Sequence, residues 1–351
     1  MTDGITGAMG GGKPAGKEII FLDNTRISGL KKCPMFYMIR TKLGWVRDSV
    51  KPALGFGGAW HEGKAEVFRQ VKLLKQLRPT VPAREINKDF WTQVHEKAFA
   101  SFMAEWTLRE LPDPARFPEL MEQYFPRVPG TAKEMLWHYI DQNKSWLWEI
   151  EILDIEKPFV VPLLETDTQR IFLVGRRDMT YRDSQGVWAN EHKTTTLGAA
   201  EKYIVQGQIF QWKFLQMFNM SPQVAGYTYS IKLEYGNEAR GVVISGDLVH
   251  KKHNDKFQNI PIWKDDSWLE SWYTDTQFWV KQLLWHDKEK FYPHNENSCD
   301  GQYGPCEYKD MCEACSDPRE LSQVWQGYKV EFWEPFDEDA MKEIMLRIEN
   351  G

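Results

Sequence analysis

The stretch Val174-Gly-Arg-Arg-Asp178, a short polar break, and then Trp188-Ala-Asn-Glu191-His-Lys193-Thr-Thr-Thr196 decides how the rest of the chain is read. It sets an aspartate at the end of one β-like run and a Glu-x-Lys at the end of the next, with turn chemistry at Asp183-Ser-Gln-Gly186 between them. Lys193 follows Glu191 by two residues, so strand alternation turns both side chains to one face. Magnesium favours carboxylate, carbonyl and water ligands, and Asp178 and Glu191, with the carbonyl of His192, make such a set. A lysine beside it would orient an attacking water or stabilise developing charge. Glu-x-Lys alone is common and reads as a surface ion pair on an edge strand. After a strand ending in Gly-x-x-Asp it is far more specific.

Working outward, residues 150–162, 170–181 and 186–193 read as strands. A helix is predicted over 199–219, strands over 224–235 and 240–245, and a helix over 267–291. Upstream, a helix is predicted over 27–43 with Ser28 as its cap. A Gly/Pro break covers 52–58, and His61 opens a helix running to about residue 77. Residues 84–110 and 131–147 also read as helices, and their aromatic stripes belong to a core. Of the 16 tryptophans in the chain, a few in that region could line a strand channel by base stacking. The order predicts an α/β core with a helical insertion at about 80–147. Residues 1–17 are Gly-rich and expected to be a disordered arm. Within it residues 7–13 imitate a phosphate-binding loop, but Pro14 stands where that loop needs Ser or Thr.

The chain has 351 residues, 42% of them hydrophobic, enough for a sizeable core. It has no apolar run near the ~18 residues of a membrane helix and no opening signal segment, so a cytoplasmic location is expected. The net charge of −6 argues against a protein that coats nucleic acid, yet an enzyme can bind it through a local patch. Arg26, Lys31, Lys32, Arg40, Lys42, Arg47 and Lys51 form such a patch or an ordinary solvated face. His250-Lys-Lys-His253 reads as an exposed basic turn. Five cysteines are too few for a disulfide scaffold. Cys33 stands alone and the others fall at residues 299–315, a clustering that points to metal binding.

Gly175-Arg-Arg-Asp178 and Glu191-His-Lys193-Thr-Thr resemble motifs II and III of the PD-(D/E)XK nuclease superfamily. Within it the chain is similar to the RecB-like exonuclease branch, which includes CRISPR adaptation nucleases and phage-encoded relatives. Gly57-Gly-Ala-Trp-His61, followed by Glu66, resembles the upstream histidine motif. The resemblance implies a restriction-endonuclease-like core, with a central mixed sheet flanked by helices. It implies Mg²⁺ or Mn²⁺ on His61, Asp178 and Glu191, with Lys193 assisting. The branch also carries a Gln-x-x-x-Tyr helix after motif III. Here Gln206 with Phe210 or Gln208 with Trp212 fits, neither with the tyrosine, and Gln208 is preferred.

Members of the branch carry a four-cysteine iron–sulfur staple. Cys33 in Lys32-Cys-Pro34 matches its upstream position, and Cys299, Cys306 and Cys312, as Cys-x6-Cys-x5-Cys, resemble its downstream trio. Cys315 could serve in place of Cys299, although the segment from Phe291 to Cys299 resembles the approach to the trio in phage relatives. A [4Fe–4S] cluster takes four thiolates, as does the alternative, Zn²⁺. The resemblance covers roughly residues 25–318: an arm over 1–17, a nuclease domain over 18–318 with the cysteines at 299–315, and a tail over 319–351. The implied function is a metal-dependent DNA exonuclease on single strands or DNA ends, in recombination, repair or phage genome processing. For a phage protein the location would be the host cytoplasm. A helicase or recombinase partner is compatible with this reading, and no membrane is. A flap or branched-DNA endonuclease, and a non-catalytic DNA-binding or scaffold protein of the same fold, are the alternatives.

Overall fold

The computed structural model of the chain describes residues 17–49, 51–78, 81, 86–301, 304–332, 334 and 336–350. The expected arm, up to residue 16, and with it the imitation phosphate loop, lies outside the described residues.

Strand β1 (Glu18–Leu22) leads into α1 (Asn24–Lys32). The cap is Asp23, which accepts the Arg26 N–H at 2.6 Å, and the expected cap Ser28 lies inside the helix. The single helix predicted over 27–43 breaks at Cys33-Pro34, because proline lacks an N–H and holds the preceding residue extended. Helix α2 (Pro34–Tyr37), a π-helical stretch over 38–42 and β2 (Trp45–Arg47) follow. Helix α3 (Pro52–Leu77) absorbs the predicted Gly/Pro break. Its Pro52 is preorganised for a first helical turn. A Cβ at Gly63 would press to 3.3 Å on the Ala98 carbonyl, so the glycine lets the next helix close in. That helix, α4 (Lys88–Leu108), with α5 (Pro118–Tyr124) and α6 (Pro129–Glu149), falls in the predicted insertion. The core it shares with α3 is aromatic: Phe56, Trp60 and Phe68 of α3 and Phe102 and Trp106 of α4 are all buried.

Strands β3 (Glu151–Glu165), β4 (Gln169–Arg182) and β5 (Val187–Thr195) stand where strands were predicted. The helix predicted over 199–219 is two short ones, α7 (Glu201–Val205) and α8 (Trp212–Gln216). Gly207, at φ 98°, and a bridge between Gly198 and Phe210 fold the rest into a loop. Residues predicted as a strand form α9 (Pro222–Tyr235). Their β-branched and aromatic content favours a strand. The cap Ser221, Pro222 at the first turn and burial of Val224, Ala225, Tyr227 and Ile231 favour the helix, and burial wins. Then come β6 (Ala239–Leu248), β7 (Phe257–Ile262) and α10 (Asp266–Glu289), capped by Asp265. The chain closes with β8 (Asp300–Gly301), β9 (Gly304–Pro305), α11 (Lys309–Ala314), β10 (Tyr328–Val330) and α12 (Glu338–Asn350).

This is an α/β protein with a mixed sheet flanked by helices, in the order β1-β4-β5-β6-β7, with β3 also on β4. Strands β1/β4 and β5/β6 run parallel, and β3/β4, β4/β5 and β6/β7 antiparallel. Helices α1, α9 and α10 help build one hydrophobic core, and α3, α4 and α6 another. The positioning feature is a fork. Strand β1 pairs with β4 only to Leu173, and β5 pairs with it only from Met179. Past Met179↔Asn190, β5 leaves β4 and follows β6 to Thr195↔Leu248. Asp178 sits where the strands part.

The tail, which the sequence left without a reading, packs on the body. Strand β10 pairs with β2, and Ile344 and Ile348 of α12 bury against Phe172 and Val174 of β4. Among the described residues no helix is long and apolar enough to cross a membrane.

Candidate active site

The fork frees main-chain groups that a continuous ladder would have used. The N–H of His192 donates instead to Asp178 Oδ2 at 2.6 Å, tying the aspartate of β4 to the backbone of β5. Gly175 starts the motif because the Phe159 ring of β3 lies against it, where a Cβ would come within 2.7 Å. Lys193 Nζ meets Glu191 Oε1 at 2.5 Å, as alternation predicts. His61, on α3, places Nδ1 3.4 Å from Asp178 Oδ1. Four of the five residues expected at the site, His61, Asp178, Glu191 and Lys193, are therefore neighbours.

Gln208 is not among them in its contacts: its amide donates to the carbonyl of Phe210 at 3.3 Å. The glutamine on Glu191 is Gln223 of α9, whose Nε2 donates to Glu191 Oε1 at 2.8 Å. Tyr227, one turn on, donates its hydroxyl to the Arg176 carbonyl at 2.6 Å, in the stretch of β4 between its β1 and β5 pairings. Gln223-Val-Ala-Gly-Tyr227 thus has the Gln-x-x-x-Tyr spacing with its tyrosine. The signal was in the sequence, hidden because the segment reads as a strand.

Glu156 was also missed. It lies on β3 between the pairs Ile155↔Met179 and Lys157↔Arg177, opposite Asp178. Its φ of 51° is unusual for a side-chain-bearing residue, and nothing in the sequence around it signals that conformation.

The charges do not balance one another evenly. Burial works against a charged His61, but Asp178, with Glu191 behind it, overrides this and holds the imidazole at about 9. Burial also penalises Asp178, yet His61 and the His192 N–H keep it well below the usual carboxylate range. Burial and Asp178 push Glu191 up, with Lys193 opposing. Burial and Asp178 push Glu156 up to about 8. Lys193 is held charged by Glu191 against the cost of burial. The His192 ring, buried and near Lys64, falls well below the usual range and is neutral. It stacks on Phe68, so the site uses its backbone and not its ring.

The donor set suits a hard divalent cation. Glu191 Oε2 is buried without a hydrogen-bond partner, a costly state for a carboxylate oxygen. Even so, among the described residues no group of three or more His, Cys, Asp or Glu side chains is arranged to hold a metal ion. A cleft of ≈590 Å³ opens on the site, lined by Lys193, Gln223, Arg176, Thr25, Ser28 and Phe336. The basic patch read from the sequence is partly spent in pairs: Lys42 with Asp287, and Lys51 with Glu307.

The cysteines gather elsewhere, where the chain after α10 returns to the end of α1. Asn295 and Ser298 donate to the Lys32 carbonyl at 2.7 and 2.8 Å, and the Met35 N–H donates to the Pro293 carbonyl at 3.2 Å. The Cys306 N–H donates to the Cys299 carbonyl at 2.7 Å. Burial, then the nearby Cys306, Cys33, Cys299 and Cys315, push the Cys312 thiol up to about 12. All five thiols are free, and that of Cys315 turns to the Asp317 carbonyl at 3.2 Å.

No family model matches the chain, and no curated protein matches it. Among solved structures it is similar to that of a candidate exonuclease from Eubacterium rectale, with 12% identity and a TM-score of 0.43, over 88% of this chain and 91% of that one. At that score the likeness assigns neither fold nor function, which rest on the residues above.

Proposed function

We propose that this protein is a divalent-cation-dependent deoxyribonuclease of the RecB-like, PD-(D/E)XK type, acting as an exonuclease on single strands or DNA ends. The observation that carries the reading is the meeting of His61, Asp178, Glu191, Lys193 and Gln223 at the fork. Mg²⁺ or Mn²⁺, held by His61, Asp178 and Glu191, would activate water and withdraw charge from the phosphoryl group. Asp178 stays ionised at neutral pH and offers a lasting negative charge. Lys193 stays protonated and is placed to orient the nucleophile or steady the developing oxyanion. Gln223 holds Glu191 in place and, through Tyr227, ties α9 to β4. The cleft beside Lys193, with Arg176 in its wall, suits a phosphodiester strand.

The test is digestion of end-labelled single- and double-stranded DNA with Mg²⁺ or Mn²⁺. Wild type is expected to release mononucleotides or short ladders, and Lys193→Ala to lose roughly 10²–10³-fold in rate. Internal cuts at branch points would replace the exonuclease with a flap endonuclease. No cleavage by metal-loaded protein would leave a DNA-binding protein of the same fold.

We infer further that Cys33, Cys299, Cys306 and Cys312 bind a [4Fe–4S] cluster that joins α1 to the C-terminal segment. The hydrogen bonds between residues 32–35 and 293–298 support this. Metal binding there would contribute to folding. Anaerobically purified protein is expected to carry iron and sulfide, and Cys312→Ala to melt lower. Zinc in place of iron, or an unchanged melting point, would count against the cluster.

A further inference from the structure

On α3, one turn beyond His61, lies a charge that the proposed reaction does not use. Lys64 and Asp247 of β6 are both 0% exposed, with Nζ 3.1 Å from Oδ2. Lys64 also donates to Ser245 Oγ at 2.8 Å and sits 4.1 Å from the centre of the Tyr139 ring. Trp60 Nε1 donates to the same Asp247 oxygen at 2.7 Å.

Such a pair is poor glue. Desolvating two charges offsets most of their attraction, and an apolar pair of similar volume often holds a core as well or better. What the pair supplies is direction. Trp60 and Lys64 flank His61 on α3. Ser245 and Asp247 are alternate residues of β6, in register with His192 and Thr194 of β5. Hydrogen bonds from two turns of a helix to two points on a strand admit one rotation and one axial position, where apolar contact would allow the helix to slide. The same setting puts Phe68 against the His192 ring, 5.4 Å between centroids, and the edge of His61 on it at 5.6 Å. His61 Nδ1 then faces Asp178.

We propose that the buried Lys64–Asp247 pair, with Trp60 and Ser245, is a positioning device that sets the rotation of α3 so that His61 meets Asp178. As a statement about metal binding it rests on the reading of His61 as a ligand.

The test is a double-mutant cycle on Mn²⁺ affinity of the full chain, followed by electron paramagnetic resonance of free Mn²⁺. Trp60→Phe, Lys64→Met and Asp247→Leu together remove both charges and the indole donor, leaving no ion unpaired. The replaced protein is expected to bind Mn²⁺ roughly 10–100-fold more weakly while unfolding near the wild-type midpoint. On a His61→Ala background the same replacement is expected to cost nothing further. An equal loss on both backgrounds overturns the proposal. If wild type binds no Mn²⁺, the cation reading fails, and metal-free protein decides the positioning question by NMR of the histidine rings. A displaced His61 resonance with His250 and His253 unmoved supports it, and an unmoved His61 overturns it. Should the triple replacement not fold, Trp60→Phe alone decides, with the same background-dependent loss expected at smaller size and its absence overturning the idea.

Discussion

Two clusters of buried charge lie within a few residues of each other along β5 and β6, and they are built differently. Around Asp247 the charges close on themselves: Lys64 and Trp60 share its oxygens, and Ser245 Oγ accepts a further hydrogen bond from Lys64. Around Asp178 they do not. Glu191 keeps an orphaned oxygen, and burial with Asp178 pushes Glu156 to about 8. Burial alone therefore does not mark a functional site. A satisfied cluster sets geometry, while an unsatisfied one stores electrostatic free energy that a cation or a phosphate can release.

The contrast can be broken or sharpened by substitution. The largest effect is expected at the satisfied cluster. Lys64→Met alone leaves Asp247 buried without its counter-ion and should cost about 3–5 kcal/mol in urea unfolding. A change under about 1 kcal/mol, the size typical of an exposed pair, would remove the distinction between the clusters. At the unsatisfied cluster the cost should appear in function. Gln223→Ala frees Glu191 while keeping all three proposed cation ligands in the chain, and a fall of about tenfold in cleavage rate is expected, with little change in unfolding. A stability loss with the rate unchanged would make Gln223 structural.

The smallest effect is a pH slope in metal-free protein. Glu156 binds a proton more tightly folded than unfolded, its value rising from 4.5 to about 8. Its contribution is thus present below 4.5 and lost as pH rises through about 8. His61, raised from 6.5 to about 9, adds a loss in the same direction at higher pH. Unfolding free energy should therefore fall across this range, and Glu156→Gln should flatten the lower part only. A slope unchanged by Glu156→Gln would mean that neither burial nor Asp178 raises this carboxyl.

The cysteine corner shows the limit of reading by spacing. Cys299, Cys306 and Cys312 stand out as a local group, but only the return of the chain to Lys32 brings Cys33 to them. The helix α9 failed for another reason. Its composition favours a strand, and its burial against the sheet, invisible in a linear pattern, decides otherwise. With that error the tyrosine of Gln223-x-x-x-Tyr227 went unread.

Asp178, Glu191 and Lys193 were determined by the sequence itself, because one hairpin carries all three and strand alternation is a local rule. The helix of His61 was legible as well. Its contact with Asp178 was decided by the tertiary structure, as were Gln223 on Glu191, Glu156 opposite Asp178 and the Lys64–Asp247 pair. Each depends on where a helix docks or a distant strand pairs. Local propensity does not specify that: it is set by long-range burial and by polar groups that must find partners once water is excluded.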